Sequence, residues 1–376
     1  MIIDLDRYIE TGKKAEFDRR ARGLTLALGF FDGMHLGHGA LMDACLRQSA
    51  RDGSVPAVLL LEPHPLRVLA EGGGSIRTLN GLREKIYFIR RRGVGRMFLK
   101  AFDREFARLA PEAFVQRYLV DLLGVRNVVV GFNYRFGARG MGTPGLLEHL
   151  AQQYDFGLRV VQPVYVDDRL VSSTLIREKV EAGDMEAAAR LMGHPHLFAG
   201  RVAEGNRLGR QWGFPTANLP LDPTVLTPPL GVYAARVEIA PPAPAGGAGD
   251  ASGGGGAGDA SGGGGEAGVD WAGDGSGGGA SRDRAGGSGE GAGADVGAAA
   301  GYRAVVNIGT RPTVAPDRPD VTLEAHLLDF DGDLYGQEIR VFILKHMRNE
   351  RRFEDTDALK AQVMRDIATA REVLTL

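Results

Sequence analysis

Two histidines three residues apart stand in a glycine-rich stretch near the start of the chain, Gly29-Phe30-Phe31-Asp32-Gly33-Met34-His35-Leu36-Gly37-His38. The run before it, Leu24-Thr25-Leu26-Ala27-Leu28, is short and apolar and predicts a buried strand. After it, Leu41, Ala44, Cys45 and Gln48 fall at helical spacing, which starts a helix near Gly37. A strand, a glycine turn and a helix N-terminus form the local geometry that binds phosphate. Free N–H groups and the positive end of the helix dipole face the anion, and glycine lets the backbone approach it. His35 and His38 add donors there, and Gly29, Phe30, Asp32 and Gly33 are candidate contacts in the turn itself. The lysine of a Walker motif is absent, so this is not the P-loop arrangement. The plainer reading is a turn with two surface histidines.

Three further groups carry possible chemistry. In Ser172-Ser173-Thr174-Leu175-Ile176-Arg177, hydroxyls precede an apolar helical pattern. They read as an N-cap, or as a second phosphate-gripping helix start formed by Ser173, Thr174 and Arg177. The loop from Gly205 to Asn218 combines Gly205, Gly209, Arg210 and Gly213 with a Pro215-Thr216-Ala217-Asn218 ending. Spaced glycines with arginine suit a polyphosphate. Thr216 and Asn218 are two apart, so on an extended chain they share a side and offer oxygens to Mg²⁺. Glu324 lies in the alternating run Val321–Leu327 with Thr322 and His326 on the polar face. It is a candidate general base for a hydroxyl, or a residue of a solvated strand face.

The elements that must position these groups fall into two parts. From residue 24 to about 166, strands alternate with helices. Strands are expected at 55–61, 96–99, 128–130, 159–161 and 164–166, and helices at 82–92 and 111–123. Such β-α-β units with continuous apolar strands predict a parallel sheet covered by helices. Ligands in such sheets sit at the strands' carboxyl ends, and the stretches at 29–38, 62–65 and 131–137 all follow strands. A helical pair broken at Gly183-Asp184 marks the boundary. From residue 197, short strands with Gly- and Pro-rich turns predict a small antiparallel barrel closed by a helix from about Thr356 to Leu374. The expected division is 1–182, a connecting helix and linker at 183–196, and 197–376. The second part is interrupted at about 241–301 by Gly, Ala, Ser and Asp with a direct repeat, a composition that predicts disorder.

With 376 residues the chain has room for two domains. A net charge of −2 gives no reason to expect nucleic acid or a membrane surface as partner. The single cysteine, Cys45, excludes an internal disulfide and suits a reducing cytoplasm. The first residues carry acids where a signal peptide carries bases, and no apolar run reaches bilayer length.

The histidine stretch resembles the HxGH signature of the nucleotidyltransferase superfamily. Glu62-Pro63-His64-Pro65, Gly131-Phe132-Asn133-Tyr134-Arg135-Phe136-Gly137, Gly213–Asn218, Gly231-Val232-Tyr233-Ala234, Asn307-Ile308-Gly309, Arg311-Pro312-Thr313 and Asp333-Leu334-Tyr335-Gly336 extend the likeness. Together the motifs resemble the prokaryotic bifunctional riboflavin kinase/FMN adenylyltransferases, also called FAD synthetases. The resemblance implies an N-terminal doubly wound parallel-sheet nucleotidyltransferase domain and a C-terminal antiparallel β-barrel kinase domain. It implies riboflavin, FMN and ATP as substrates, FAD as product and Mg²⁺ as cofactor, with the chain a monomer or transient oligomer. His35 and His38 would stabilise the α-phosphate and Asn133 would help hold substrate phosphates. Ser173, Thr174 and Arg177 would grip ATP in the first domain. Thr216 and Asn218 would hold Mg-ATP, and Glu324 would take the proton of the ribityl hydroxyl. The chain departs from the family pattern at Leu61, where an aromatic residue is common, and at Thr143, where an acid is common. The rival readings are a riboflavin kinase with a weak or inactive adenylyltransferase domain, and a non-catalytic flavin-binding regulator.

Overall fold

The computed structural model describes residues 1–11, 23–69, 76–204, 213–241, 301–311 and 320–375. Gly205, Gly209 and Arg210 lie outside the described residues, as do 242–300 of the segment expected to be disordered.

β1 (Ile2–Asp4) and α1 (Leu5–Thr11) open the chain. β2 (Leu24–Leu28) leads through the histidine turn into α2 (Leu36–Asp52) and β3 (Val55–Glu62). Then come α3 (Pro65–Leu69), α4 (Leu82–Arg91), β4 (Arg96–Ala101), α5 (Pro111–Phe114), β5 (Val125–Gly131), α6 (Pro144–Tyr154) and β6 (Gly157–Val161). The six strands pair in parallel in the order β1-β4-β3-β2-β5-β6. All of β2 is buried, because helices cover both faces, and this is why its sequence is apolar without alternation. Chain order runs outward one way from β2 through β3 and β4, and the other way through β5 and β6. The crevice at that reversal is where an open α/β sheet binds its ligand. The turn after β2 and the stretch after β5 are its two walls.

Local details differ from the sequence reading. The helix from Pro111 widens at Val115 into a π-helix through Leu122. Residues 164–166 do not extend the sheet. β7 (Tyr165–Val166) pairs antiparallel with β8 (Arg169–Leu170), and Asp167 and Asp168 make the turn with φ of 50° and 58°. Both values suit a two-residue hairpin turn, and aspartate tolerates that region better than most residues. The helix α6 was not expected. Thr143 caps it, its hydroxyl accepting the Leu146 N–H at 3.2 Å. An acid would cap this helix in the same way. Leu61, the other departure, packs partly buried against the core under the sheet.

α7 (Ser173–Glu181) and α8 (Met185–Met192) lead into the second sheet: β9 (His196–Arg201), β10 (Ala217–Pro220), β11 (Gly231–Ile239), β12 (Tyr302–Arg311), β13 (Asp320–Leu327) and β14 (Glu338–Asn349), followed by α9 (Thr356–Val373). The antiparallel order is β10-β13-β12-β11-β14-β9. A bridge between Ala203 and Asn218 brings the two edges together, so the barrel is nearly closed. On β13, Leu323, Ala325 and Leu327 are buried while Thr322, Glu324 and His326 are half-buried. Val237 faces Tyr302 across β11 and β12, so residues 241–301 join two paired strands. Asp355 caps α9, and its packed stripe is partly polar. Gln362 and Asp366 are buried, with Asp366 held by Arg348 at 2.8 Å.

The sheet and the barrel are joined by specific bonds. Leu175, Ile176, Val180, Met185 and Leu191 of the helical pair share one apolar core with Tyr233, Val306 and Leu323 of the barrel. Thr78 exchanges backbone hydrogen bonds with Thr224 (2.9 Å) and Leu226 (2.7 Å). Glu84 accepts the Ala199 N–H at 2.8 Å.

Candidate active sites

A cleft of about 370 Å³ opens at the switch point of the parallel sheet. Gly29, Phe30, Asp32, His35, His38, Asn133, Ser173, Thr174 and Arg177 all line it, although they come from three separate regions of the sequence. Gly33 does not line it. With φ +82° and a would-be Cβ 2.7 Å from Leu79 Cδ1, Gly33 shapes the turn.

His35 is the N-cap of α2, one residue earlier than expected, and its Nδ1 accepts the His38 N–H at 3.3 Å. An accepting Nδ1 carries no proton, so the neutral ring holds its hydrogen on Nε2. The His35 ring thereby serves as cap on one nitrogen and as donor on the other. A Cβ on Gly37 would lie 3.1 Å from this ring, which explains the glycine between the histidines. The two rings stack with centroids 3.8 Å apart, and His38 Nδ1 is buried with no hydrogen-bond partner among the described residues. Burial, and then the charge of His194, pushes His35 down to about 4. Burial also holds His38 well below its usual value, helped by His35 and Lys85. Both are neutral donors at pH 7.

This has a consequence for stability. His35, His64, His194 and His196 all ionise near 4 when folded, against 6.5 when exposed, mainly through burial. The folded values lie below the unfolded ones, so as pH falls from 6.5 the unfolded chain takes up protons first and stability declines. At pH 5 each ring removes roughly 2 kcal/mol relative to pH 7. Denaturant unfolding should therefore give a stability several kcal/mol lower at pH 5 than at pH 7. Equal values would mean that the rings are already charged in the folded protein.

The Asp32 carboxylate that lines the cleft is engaged by protein groups on both oxygens. Its Oδ1 accepts the Leu79 N–H at 2.7 Å, and its Oδ2 accepts a hydrogen bond from Arg177. Ser173 Oγ donates to the Asp32 carbonyl at 2.8 Å. Burial raises the Asp32 pKa and Arg177 opposes that rise. Breaking such a buried pair costs about 3–5 kcal/mol, because it leaves one charge unpaired. Asp32 is therefore the joint that holds the α7 start beside the histidine turn. Ser172 caps α7 by accepting the Leu175 N–H at 3.3 Å, so Ser173 and Thr174 face the cleft from its first turn.

Two groups of this site were not singled out from the sequence. His64, 3% exposed, lines the cleft with its ring edge against Phe30 at 5.4 Å. Lys85 of α4 is fully buried with its Nζ 3.4 Å from Glu62, and its charge bears on Asp32, His38 and His64. His64 sat in a quoted motif. Lys85 carried no local signal, since a lysine in an amphipathic helix reads as surface.

A second cavity, about 300 Å³, lies at the barrel edge and is lined by Thr216, Asn218, Asp331, Asp333 and Tyr335 among others. Gly213 precedes it at φ +84°. Glu324 does not line this cavity. It stands directly across the ladder from Asn218 on one side and Asn307 on the other.

A histidine-bearing phosphate turn at the switch point of a parallel sheet defines a nucleotidyltransferase domain. The barrel behind it is of a different class. The family model for FAD synthetase matches residues 18–175, and that for riboflavin kinase matches residues 192–374. Bifunctional riboflavin kinase/FMN adenylyltransferases of Escherichia coli (strain K12) and Haemophilus influenzae are 36% and 31% identical to this chain. They cover 94% of it, and 94% and 95% of their own lengths. The Bacillus subtilis enzyme of that name is 29% identical over 91% of this chain and 89% of its own. This chain belongs to the bifunctional riboflavin kinase/FMN adenylyltransferase family. A solved Streptococcus pneumoniae structure, described as a macrolide-efflux protein, has the same fold. Its TM-score is 0.69, its identity is 24% and it covers 98% of both chains. Among the described residues no helix is long and apolar enough to cross a membrane.

Proposed function

We propose that the chain makes FAD from riboflavin in two steps, each using one ATP. In the barrel, Glu324 takes the proton of the ribityl hydroxyl, whose oxygen attacks the γ-phosphorus of ATP. FMN forms and ADP leaves. In the cleft, an FMN phosphate oxygen attacks the α-phosphorus of ATP. The α–β bridging bond breaks and its electron pair leaves with pyrophosphate. His35 Nε2–H and His38 donate to the oxygens where charge builds up, with the N-terminus of α2 behind them. Ser173, Thr174 and Arg177 hold the polyphosphate from α7, and Asn133 holds it from the opposite wall. The observation that carries this reading is the donor set itself. His35, His38, Ser173, Thr174, Arg177 and Asn133 converge on one cleft. A regulator, or a kinase with a decayed first domain, would not need to keep that convergence.

The barrel cavity offers only oxygen donors, from Thr216, Asn218, Asp331 and Asp333, which fits Mg²⁺. Among the described residues no three His, Cys, Asp or Glu side chains group as a metal cage, so these oxygens would share the ion with nucleotide phosphates. Bound Mg²⁺ offsets phosphate charge. The reading includes a domain division at 1–182, 183–196 and 197–376, a monomer or transient oligomer, and a cytoplasmic location. Incubation with riboflavin, ATP and Mg²⁺, followed by chromatography of the flavins, tests it. FMN followed by FAD is expected. FMN alone would remove the adenylyltransferase half, and neither flavin would remove both.

Residues 241–301 take no part in either reaction. Closing a loop costs about 0.6 kcal/mol per doubling of length, so about sixty residues in place of four cost roughly 2.5 kcal/mol. Replacing the segment with Asn-Gly should leave both activities near wild type and raise the unfolding free energy by at most about that amount. Loss of kinase activity in the shortened chain would show that the segment contributes to the site.

A further inference from the structure

Asp32, Arg135 and Arg177 are the charged side chains among the described residues that line the histidine cleft. The histidines there add no charge at pH 7, because burial keeps His35 and His64 near 4 and His38 well below its usual value. Arg177 is committed within the protein. It donates to Asp32 Oδ2, and its Nε–H donates to the Arg77 carbonyl at 3.3 Å. The Asp32 and Arg177 charges therefore offset each other. Arg135 is exposed and makes no hydrogen bond or ion pair with a described residue. Among the described residues it carries the one uncancelled charge of a cleft whose substrates are anions.

The loop that presents Arg135 is fixed on both sides of it. The Tyr134 N–H donates to the Gly131 carbonyl at 3.1 Å and closes a turn at the end of β5. Phe136 and Gly142 exchange backbone hydrogen bonds of 3.3 and 2.8 Å, and the Phe136 ring is buried against Phe114. A Cβ on Gly137 would lie 2.7 Å from the Pro111 backbone, so the loop rests directly on the start of α5. A ligand group carried on a backbone already held costs less to order on binding.

The two walls of the cleft suit different substrates. Ser173 and Arg177 are bonded to Asp32, so α7 and the histidine turn form one joined wall. In transfer at phosphorus the attacking and leaving oxygens lie roughly in line. With pyrophosphate held at α7, the attacking phosphate of FMN enters from the wall after β5. Arg135 stands on that wall, three residues from Phe132, which lines the same cleft and is 41% exposed. A guanidinium fits a phosphate because its planar fork donates two parallel hydrogen bonds to two oxygens. An open aromatic ring beside it suits a flat ring system.

We propose that Arg135 binds the phosphate of FMN, the group that attacks ATP, from the wall opposite α7. The proposal rests on the adenylyltransferase reading and adds a residue to it.

The test uses the full-length enzyme with Arg135→Gln and Arg135→Lys, and measures FAD formation from supplied FMN and ATP. Arg135→Gln should raise the KM for FMN about tenfold or more, the scale for losing a hydrogen bond to a charged group. The KM for ATP should stay within about twofold, and kcat at saturating FMN within about threefold. Arg135→Lys keeps the charge without the fork, so its KM for FMN should lie between wild type and Arg135→Gln. Riboflavin phosphorylation, measured in the same chains, should hold within about twofold and reports that each variant is folded. An unchanged KM for FMN in Arg135→Gln would overturn the proposal. So would a KM for ATP that rises as much as that for FMN, a fall in kcat with neither KM changed, or lysine no better than glutamine. Equal loss of both activities would overturn it as well, by making Arg135 a structural residue. Absence of FAD formation by the wild type would overturn the adenylyltransferase reading itself, and that outcome is seen before any variant is compared.

Discussion

His38→Ala should cut FAD formation from supplied FMN and ATP by about a hundredfold or more, the scale for losing one preorganised donor to a developing charge. The effect is large because His38 is held in place. The residue is half-buried with its Nδ1 inaccessible, its ring stacks on His35, and it is neutral at pH 7. Riboflavin phosphorylation in the same chain should continue, because that chemistry is assigned to the barrel. The comparison of the two rates is therefore the measurement. Equal loss of both without unfolding would reject the assignment of two sites. The neutral state of the histidines adds a detail. They act as uncharged donors at pH 7, and protonation of His35, at about 4, should not limit FAD formation by the folded enzyme above about pH 5.

Glu324→Gln should lower FMN production by about 10²–10⁴-fold, the range for removing a general base. Size and most hydrogen bonding are kept, so the fold should survive. FAD made from supplied FMN should be unchanged. The structure sharpens this expectation. Glu324 lies outside the cavity lined by Thr216 and Asn218, yet faces Asn218 directly across the β10–β13 ladder. The carboxylate is thus assigned to the strand face beside Asn218, with Asn307 next to it on β12. Unchanged FMN production in Glu324→Gln would make Glu324 an ordinary strand-face residue and place the base elsewhere.

Much of this was legible in the sequence because its causes are local. The strand at 24–28, the glycine turn and the helix after it follow from the order of apolar, glycine and helix-forming residues. The caps at Ser172 and Asp355 follow from hydroxyl and carboxyl groups ahead of apolar periodicity. The alternation on β13 follows from the pleat. Helix α6 has its start signal in Thr143-Pro144, a capping hydroxyl ahead of a first-turn proline, although the sequence reading places no helix there. The hairpin at 165–170 was missed because a short apolar run has no period by which to tell a sheet strand from a hairpin.

By itself, the sequence determined the two kinds of architecture, the histidine pair and the residue types each site would use. These depend on neighbours within about ten positions, where chain geometry alone sets which side chains face together. Only the tertiary structure decided what Asp32, Lys85 and Gly33 do and where His194 sits. Asp32 reads as a phosphate contact until Arg177, 145 residues later, is seen to occupy it. Lys85 reads as a surface lysine until it is found buried beside Glu62. His194 reads as part of a linker until its ring is found buried and stacked on Phe88 of α4. Each role is a pairing of distant residues. Such pairings are set by how the helices, sheet and barrel pack, and the order of residues along the chain does not record them.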